Sequence, residues 1–216
     1  MNKKLTTTAA VFAILAGFSI NGKDNGNPAA GKTIYDQKCS SCHEATKQGG
    51  NSQLAPSVRN PLFLHLADDA LITTIIKKGR AGTLMTPMPG GIKDEEIPHL
   101  LAYLRSIPVS DPVKMKLSKI KMDPSRKISG SSSAGEEKYN RYCQQCHGTE
   151  GAGVVGNGPG IGRPGFLDIM PDDYIMQTVK YGRPGTPMRG FYKSAGLANL
   201  EESDISDIIA YLKSLN

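Results

Sequence analysis

The sequence predicts an all-α protein built from two tandem copies of one small domain, joined by an extended Lys-rich linker. Three observations carry this expectation. Cys39-Ser40-Ser41-Cys42-His43 recurs as Cys143-Gln144-Gln145-Cys146-His147, displaced by 104 residues, and Gly31 and Tyr35 stand in the same register as Gly135 and Tyr139. Downstream, Gly79-Arg80-Ala81-Gly82-Thr83-Leu84-Met85 matches Gly182-Arg183-Pro184-Gly185-Thr186-Pro187-Met188. Each half then closes on an apolar stripe of helical period, Ile97, Leu100, Leu101 and Leu104 in one and Ile205, Ile208, Ile209 and Leu212 in the other. Shared landmarks in a fixed order mark a duplicated domain.

Taken in order, the first copy is expected over residues 27–109, the linker over 110–133 and the second copy over 134–216. Short helices over Ala30–Cys39 and Ala134–Cys143 lead into the cysteine motifs. A second helix precedes each Gly-Arg, over Asp69–Lys78 and Asp172–Lys180. The closing helices start near Asp94 and Asn199, residues suited to N-caps, with acidic residues in the first turn. In the linker, Val113, Met115 and Leu117 alternate with Lys114 and Lys116, and Ile120 and Met122 flank Lys121. That period of two reads as an extended segment with an exposed Lys row, or as a solvated linker. Ser129–Ser133 reads as a flexible tract, and the Gly/Pro-rich run 151–165 as loop.

Composition bounds the function. The 216 residues carry only 6% aromatic side chains and no Trp, so a domain near one hundred residues has a thin core unless a buried group fills it. The formal charge of +6 is uneven: +2 over 1–26, +2 over 27–109, +4 over 110–129 and −2 over 130–216. Neither half has a basic, aromatic-laced face, which argues against nucleic acid as a partner. Lys3 and Lys4 precede an uncharged apolar run from Leu5 to Ile20, so residues 1–22 read as a signal peptide or, if retained, an N-terminal anchor. Export to the periplasm follows, with a membrane role only if that segment stays.

All four Cys lie in two C-x-x-C pairs, each followed directly by a His, and two of the four His of the chain hold those places. Two thiols so spaced reach the two vinyl groups of one haem and form thioethers, and the adjacent His then meets the iron. Cys39, Cys42 and His43, with Cys143, Cys146 and His147, thus read as sites for two covalently attached haem c groups. A thioredoxin-like dithiol needs a βαβ context that this chain lacks, and zinc sites place their C-x-x-C pairs much closer together. Disulfides across two residues are weak staples and leave the His unexplained.

The sixth iron ligand decides between electron transfer and an open, reactive site. A thioether there gives a closed iron of raised potential. Met188 is the candidate in the second half, 41 residues after His147. In the first half Met85 aligns with Met188 without gaps, while Met88 is the alternative, with Pro89 behind it. Pro56 and Pro159 follow the motif His by 13 and 12 residues, where a backbone carbonyl would fix the imidazole. His65 and His99 belong to no motif and read as surface or packing residues.

The order Gly, Tyr, CxxCH, Pro, Gly-Arg-x-Gly-Thr-x-Met and Ala-Tyr-Leu helix resembles the class I cytochrome c domain, found twice. Over about residues 29–216 the chain looks like the tandem di-haem cytochromes c of bacterial periplasms. The resemblance implies a small helical shell around each haem. In it the first and last helices cross at Gly31, Tyr35 and Tyr103, and at Gly135, Tyr139 and Tyr211. It also implies an axial pair of the motif His and a later Met, His43 with Met85 and His147 with Met188. The function so expected is electron transfer between redox protein partners, a donor and an acceptor such as a dehydrogenase or a terminal oxidase, without catalysis by the chain itself. A permanent subunit of such a complex and a di-haem peroxidase are the alternatives.

Overall fold

A computed structural model describes residues 26–43, 55–87, 91–193 and 196–216. The proposed leader or anchor at 1–22, and Met88, lie outside these residues. Among them the secondary structure is helical, with isolated bridges and no strand. No helix among them is long and apolar enough to cross a membrane.

The helix α1 (Pro28–Lys38) starts at Asn27, whose side chain accepts the N–H groups of Ala29 and Ala30, with Pro at the first turn. It crosses α5 (Ile97–Ser106) at Gly31, where a Cβ would run into the His99 carbonyl, and the Tyr35 and Tyr103 rings meet there at 5.3 Å. The short α2 (Ser40–His43), α3 (Pro61–Leu66) and α4 (Asp69–Lys78) complete the first half. The second half repeats the plan with α7 (Ser132–Tyr142), α8 (Gln144–His147), α9 (Pro164–Leu167), α10 (Asp172–Tyr181) and α11 (Glu202–Ser214). A Cβ on Gly135 would overlap the Asp207 carbonyl, and the Tyr139 and Tyr211 rings are 5.4 Å apart. Only a residue without a side chain lets the two backbones approach this closely.

Each crossing is also tied where its first helix begins. His99 Nδ1 accepts the Asn27 N–H at 2.8 Å, and Asp207 accepts the Ser131 N–H at 2.7 Å in the corresponding place. His65, the other His outside the motifs, meets the Ile120 carbonyl at 3.0 Å.

Three expectations are corrected. The segment around Val113 is not extended: Asp111–Leu117 forms a helix, α6. Ser110, Asp111 and Pro112 make a helix start that outweighs a short alternation. Val113 and Leu117, four apart, then share a face; Leu117 is buried and Met115 is 63% exposed. The tract 129–133 is built into the fold, since Ser131 caps α7 through the Ala134 N–H and Gly130 abuts the backbone of Ser206 and Asp207. The last helix starts at Glu202 rather than near Asn199, whose φ of +50° lies outside right-handed helical space. There Asp204 accepts the Glu201 N–H at 2.8 Å. In the first half a 3₁₀ turn, Asp94–Glu96, precedes α5.

The buried side chains of the two halves form one continuous cluster. Phe63 meets Tyr174 edge to face at 6.3 Å, and Asn60 donates to the Pro184 carbonyl at 2.9 Å. Behind α6 the chain is strapped to α10. Asp173, buried, accepts the Asp123 N–H at 2.8 Å and Arg126 at 3.0 Å; Asp172, also buried, accepts the Ile128 N–H at 2.9 Å and Lys213 at 2.6 Å.

Candidate functional site

The first cysteine of each pair sits at a helix end, where its N–H still bonds the tyrosine four residues back, Cys39 to Tyr35 at 2.9 Å and Cys143 to Tyr139 at 2.8 Å. The chain then turns into the one-turn helix α2 or α8. His43 and His147 donate their N–H groups to Cys39 and Cys143 carbonyls, each at 2.9 Å. None of the four thiols is in a disulfide, and Cys42 and Cys146 are exposed. A Cys is normally among the most buried residue types, so exposed thiols at the mouth of a motif are poised for covalent attachment rather than for packing.

Each motif His is oriented by a backbone carbonyl. His43 Nδ1 lies 2.8 Å from the Pro56 oxygen, and His147 Nδ1 lies 2.9 Å from the Pro159 oxygen. A carbonyl only accepts, so the proton resides on Nδ1 and the Nε2 lone pair is left for a metal. Burial pushes both imidazoles below their ordinary range while the carbonyl works against it, and for His43 the Arg80 charge adds to the lowering. The result is the neutral, ligating form. Behind His147, Gly158 is required, because a Cβ there would meet the Cys146 carbonyl and the imidazole.

Burial raises the Cys39 thiol to about 11 and Cys143 to about 12, with Lys38 opposing at Cys39. Such thiols stay protonated, which is unlike a reactive dithiol, whose thiolate must persist near neutrality. Among the described residues no three His, Cys, Asp or Glu side chains gather into a metal-ligand cluster. A lone imidazole with two neighbouring thiols fits a haem bonded at its edge, not a protein-only metal cage.

The Met loops are the same in both halves. The Arg80 N–H donates to the Met85 carbonyl at 2.6 Å, and Thr83 Oγ1 donates to the Arg80 carbonyl at 2.8 Å while accepting the Met85 N–H at 3.1 Å. Arg183, Thr186 and Met188 repeat this at 2.6, 2.8 and 3.2 Å. Both Met side chains are half-buried. Arg80 and Arg183 had only marked the repeat in the sequence; each side chain also bonds a carbonyl of the other half, that of Gly165 and that of Ser57, which no spacing signal reveals.

The domain family described as cytochrome C oxidase, cbb3-type, subunit III matches residues 26–104 and again 130–212. The chain belongs to this family. It is a di-haem cytochrome c of two tandem domains, and the pairs Cys39/Cys42 and Cys143/Cys146 imply two haem c groups. The cbb3-type cytochrome c oxidase subunit CcoP of Rhodobacter capsulatus is 26% identical over 194 residues, 86% of this chain and 61% of that protein. CcoP of Azospirillum sp. (strain B510) is 33% identical over 96 residues, 41% of this chain and 32% of that protein. The chain thus spans 61% or less of the length of these CcoP relatives. Cytochrome c4 of Thiocapsa roseopersicina is 26% identical over 206 residues, 88% of this chain and 94% of that protein. Among solved structures, a chain of the Kuenenia stuttgartiensis reducing HAO-like protein complex shares the fold. Its TM-score is 0.50 at 17% identity, covering 86% of this chain and 95% of that one.

Proposed function

We propose that this cytochrome is a periplasmic electron carrier, with domains at 27–109 and 134–216 joined by 110–133. Cys39 and Cys42 hold one haem and Cys143 and Cys146 the other. His43 with Met85, and His147 with Met188, would ligate the two irons. The observation that carries the reading is the duplication of geometry: a carbonyl-oriented imidazole and an identically bonded Met loop occur in each half.

When bound, each haem supplies one-electron exchange at its iron. The chain's own part is to hold it still. Pro56 and Pro159 fix the imidazoles in one tautomer, and the Thr83 and Thr186 hydroxyls lock the Met loops. Little then rearranges when the charge changes. Met85 and Met188 would supply a thioether to each iron and so leave no position for a reactant.

The partners are redox proteins, a donor on one side and an acceptor on the other. The likeness to CcoP, named as an oxidase subunit, favours a terminal oxidase as one of them. The match to cytochrome c4 over nearly its whole length favours a free shuttle over a permanent subunit. Gel filtration of a native extract separates these: a shuttle elutes alone.

Haem content tests the reading. Full-length chain exported by a haem-competent host is expected to carry two haems per polypeptide, falling to one in Cys39→Ala/Cys42→Ala and one in Cys143→Ala/Cys146→Ala. A colourless product, or one haem in the unmodified chain, contradicts it.

A further inference from the structure

Each Met loop is fastened to the other half. Among the described residues, every hydrogen bond that leaves residues 80–85 ends in the second half. The Ala81 carbonyl accepts the Gly165 N–H at 3.2 Å, and the Arg80 guanidinium donates to the Gly165 carbonyl and the Met170 sulfur, each at 3.3 Å. The second loop is fastened in the opposite direction. Pro184, which holds the place of Ala81, accepts the Asn60 side-chain amide at 2.9 Å, and Arg183 donates to the Ser57 carbonyl at 3.0 Å. Within its own half, Arg183 also donates to the Tyr174 hydroxyl at 3.2 Å.

The receiving groups are buried and shaped for these contacts. Asn60 is 1% exposed, and its Oδ1 accepts the Leu62 and Phe63 N–H groups at the start of α3, which leaves the amide nitrogen for Pro184. Ser57 is buried beside it. On the other side, a Cβ on Gly165, in α9, would stand 2.2 Å from the Ala81 nitrogen and 2.4 Å from the Arg80 carbonyl carbon. Glycine alone fits there. The bonds inside each loop, Arg80 to Met85 and Arg183 to Met188, set its shape, whereas the crossing bonds fix where that shape lies.

We infer that each Met is positioned in trans: Gly165 of the second half holds the Met85 loop closed, and Asn60 of the first half holds the Met188 loop closed. The inference rests on the reading of Met85 and Met188 as iron ligands given above. Closure of a loop held by few bonds is a local equilibrium, and only the closed form offers the thioether. Loss of one net hydrogen bond raises the open share severalfold. Neither half is therefore complete alone, and a change in one is read at the iron of the other.

The test uses the full di-haem chain, with carbon monoxide titrated into the reduced protein and the two haems told apart by NMR contacts to Cys39 and Cys143. Asn60→Ser keeps an acceptor at the start of α3 but removes the amide that reaches Pro184. It should raise carbon monoxide affinity about fivefold at the second haem and leave the first unchanged. Gly165→Ala drives a methyl into the first loop, and should open the first haem to carbon monoxide and remove its far-red Met–iron absorption while the second keeps its own. Asn60→Ser, the milder change, decides alone if Gly165→Ala does not accumulate. Unchanged affinities, or an effect of each variant on the haem of its own half, overturn the inference while the ligand reading stands. Absence of Met–iron absorption from the unmodified chain removes both.

Discussion

Gly182 and Met188 are packed backbone against backbone: a Cβ on Gly182 would stand 2.5 Å from the Met188 carbonyl oxygen. Gly182 has φ 69° and ψ −170°, and Gly79, at φ 64° and ψ −156°, stands in the same relation to Met85. This corner of backbone space is essentially reserved for glycine. Gly182→Ala is expected to cost about 1–3 kcal/mol locally and to release the Met188 loop, so that reduced protein binds carbon monoxide at the second haem alone. Gly79→Ala should do the same at the first. Unchanged carbon monoxide exclusion in both variants would contradict the role given to these loops.

The helix crossings make a separate prediction. Gly135→Ala drives a methyl into the Asp207 carbonyl and towards Tyr211 Cβ, both on α11. The better helix propensity of Ala recovers up to about 1 kcal/mol, whereas overpacking a well-filled contact costs about 1–3 kcal/mol or more. Destabilisation should win. A lowered denaturant midpoint is expected, and a midpoint equal to or above that of the unmodified protein would count against the close crossing.

Acid should loosen the strap across α10 only once the pH falls below the ordinary carboxylate range. Burial works to raise the Asp172 carboxyl, but Lys213 and the Ile128 N–H more than offset it, and the group is held below its ordinary value. A carboxyl depressed in the folded state gives stability that is complete above its unfolded pKa of about 3.9 and fades as pH falls through the folded value. Amide protection at Ile128 is therefore expected to drop below about pH 4. Asp173→Asn should lower protection at Asp123 already at neutral pH, by about 1–3 kcal/mol. Flat protection at both amides would exclude the clasp.

Lys114, Lys116, Lys119 and Lys121 are all exposed on and after α6. Lys114 pairs only with exposed Asp111, at 3.4 Å, a contact worth little in water. Their row is our candidate surface for an acidic redox partner. Changing all four to Gln should slow electron exchange with that partner and flatten its dependence on ionic strength. Kinetics that do not move would assign docking elsewhere.

Much of this was legible in the chain because it is local and repeated. The cysteine motifs, the Gly-Arg-x-Gly-Thr-x-Met loops and the α4 span Asp69–Lys78 follow from spacing and periodicity alone, and the Pro56 and Pro159 carbonyls lie where a fixed offset from the His put them. What was hidden depends on tertiary partners. Val113–Leu117 alternates like a strand, yet a Ser-Asp-Pro start and a burial site for Leu117 make it a helix. The acidic pair opening α10 carries no sequence sign of burial, yet both carboxylates are buried under the strap. Arg80 and Arg183 carry no sequence sign of which half their side chains enter.

The account turns on each iron being closed by an imidazole and a thioether. The weak far-red Met–iron absorption of the oxidised full-length protein measures this directly. It should report both haems, lose one contribution in Met85→Ala and the other in Met188→Ala, and survive in Met88→Ala. A high-spin ferric spectrum in the unmodified protein, or loss of the first-half contribution in Met88→Ala instead of Met85→Ala, would contradict it.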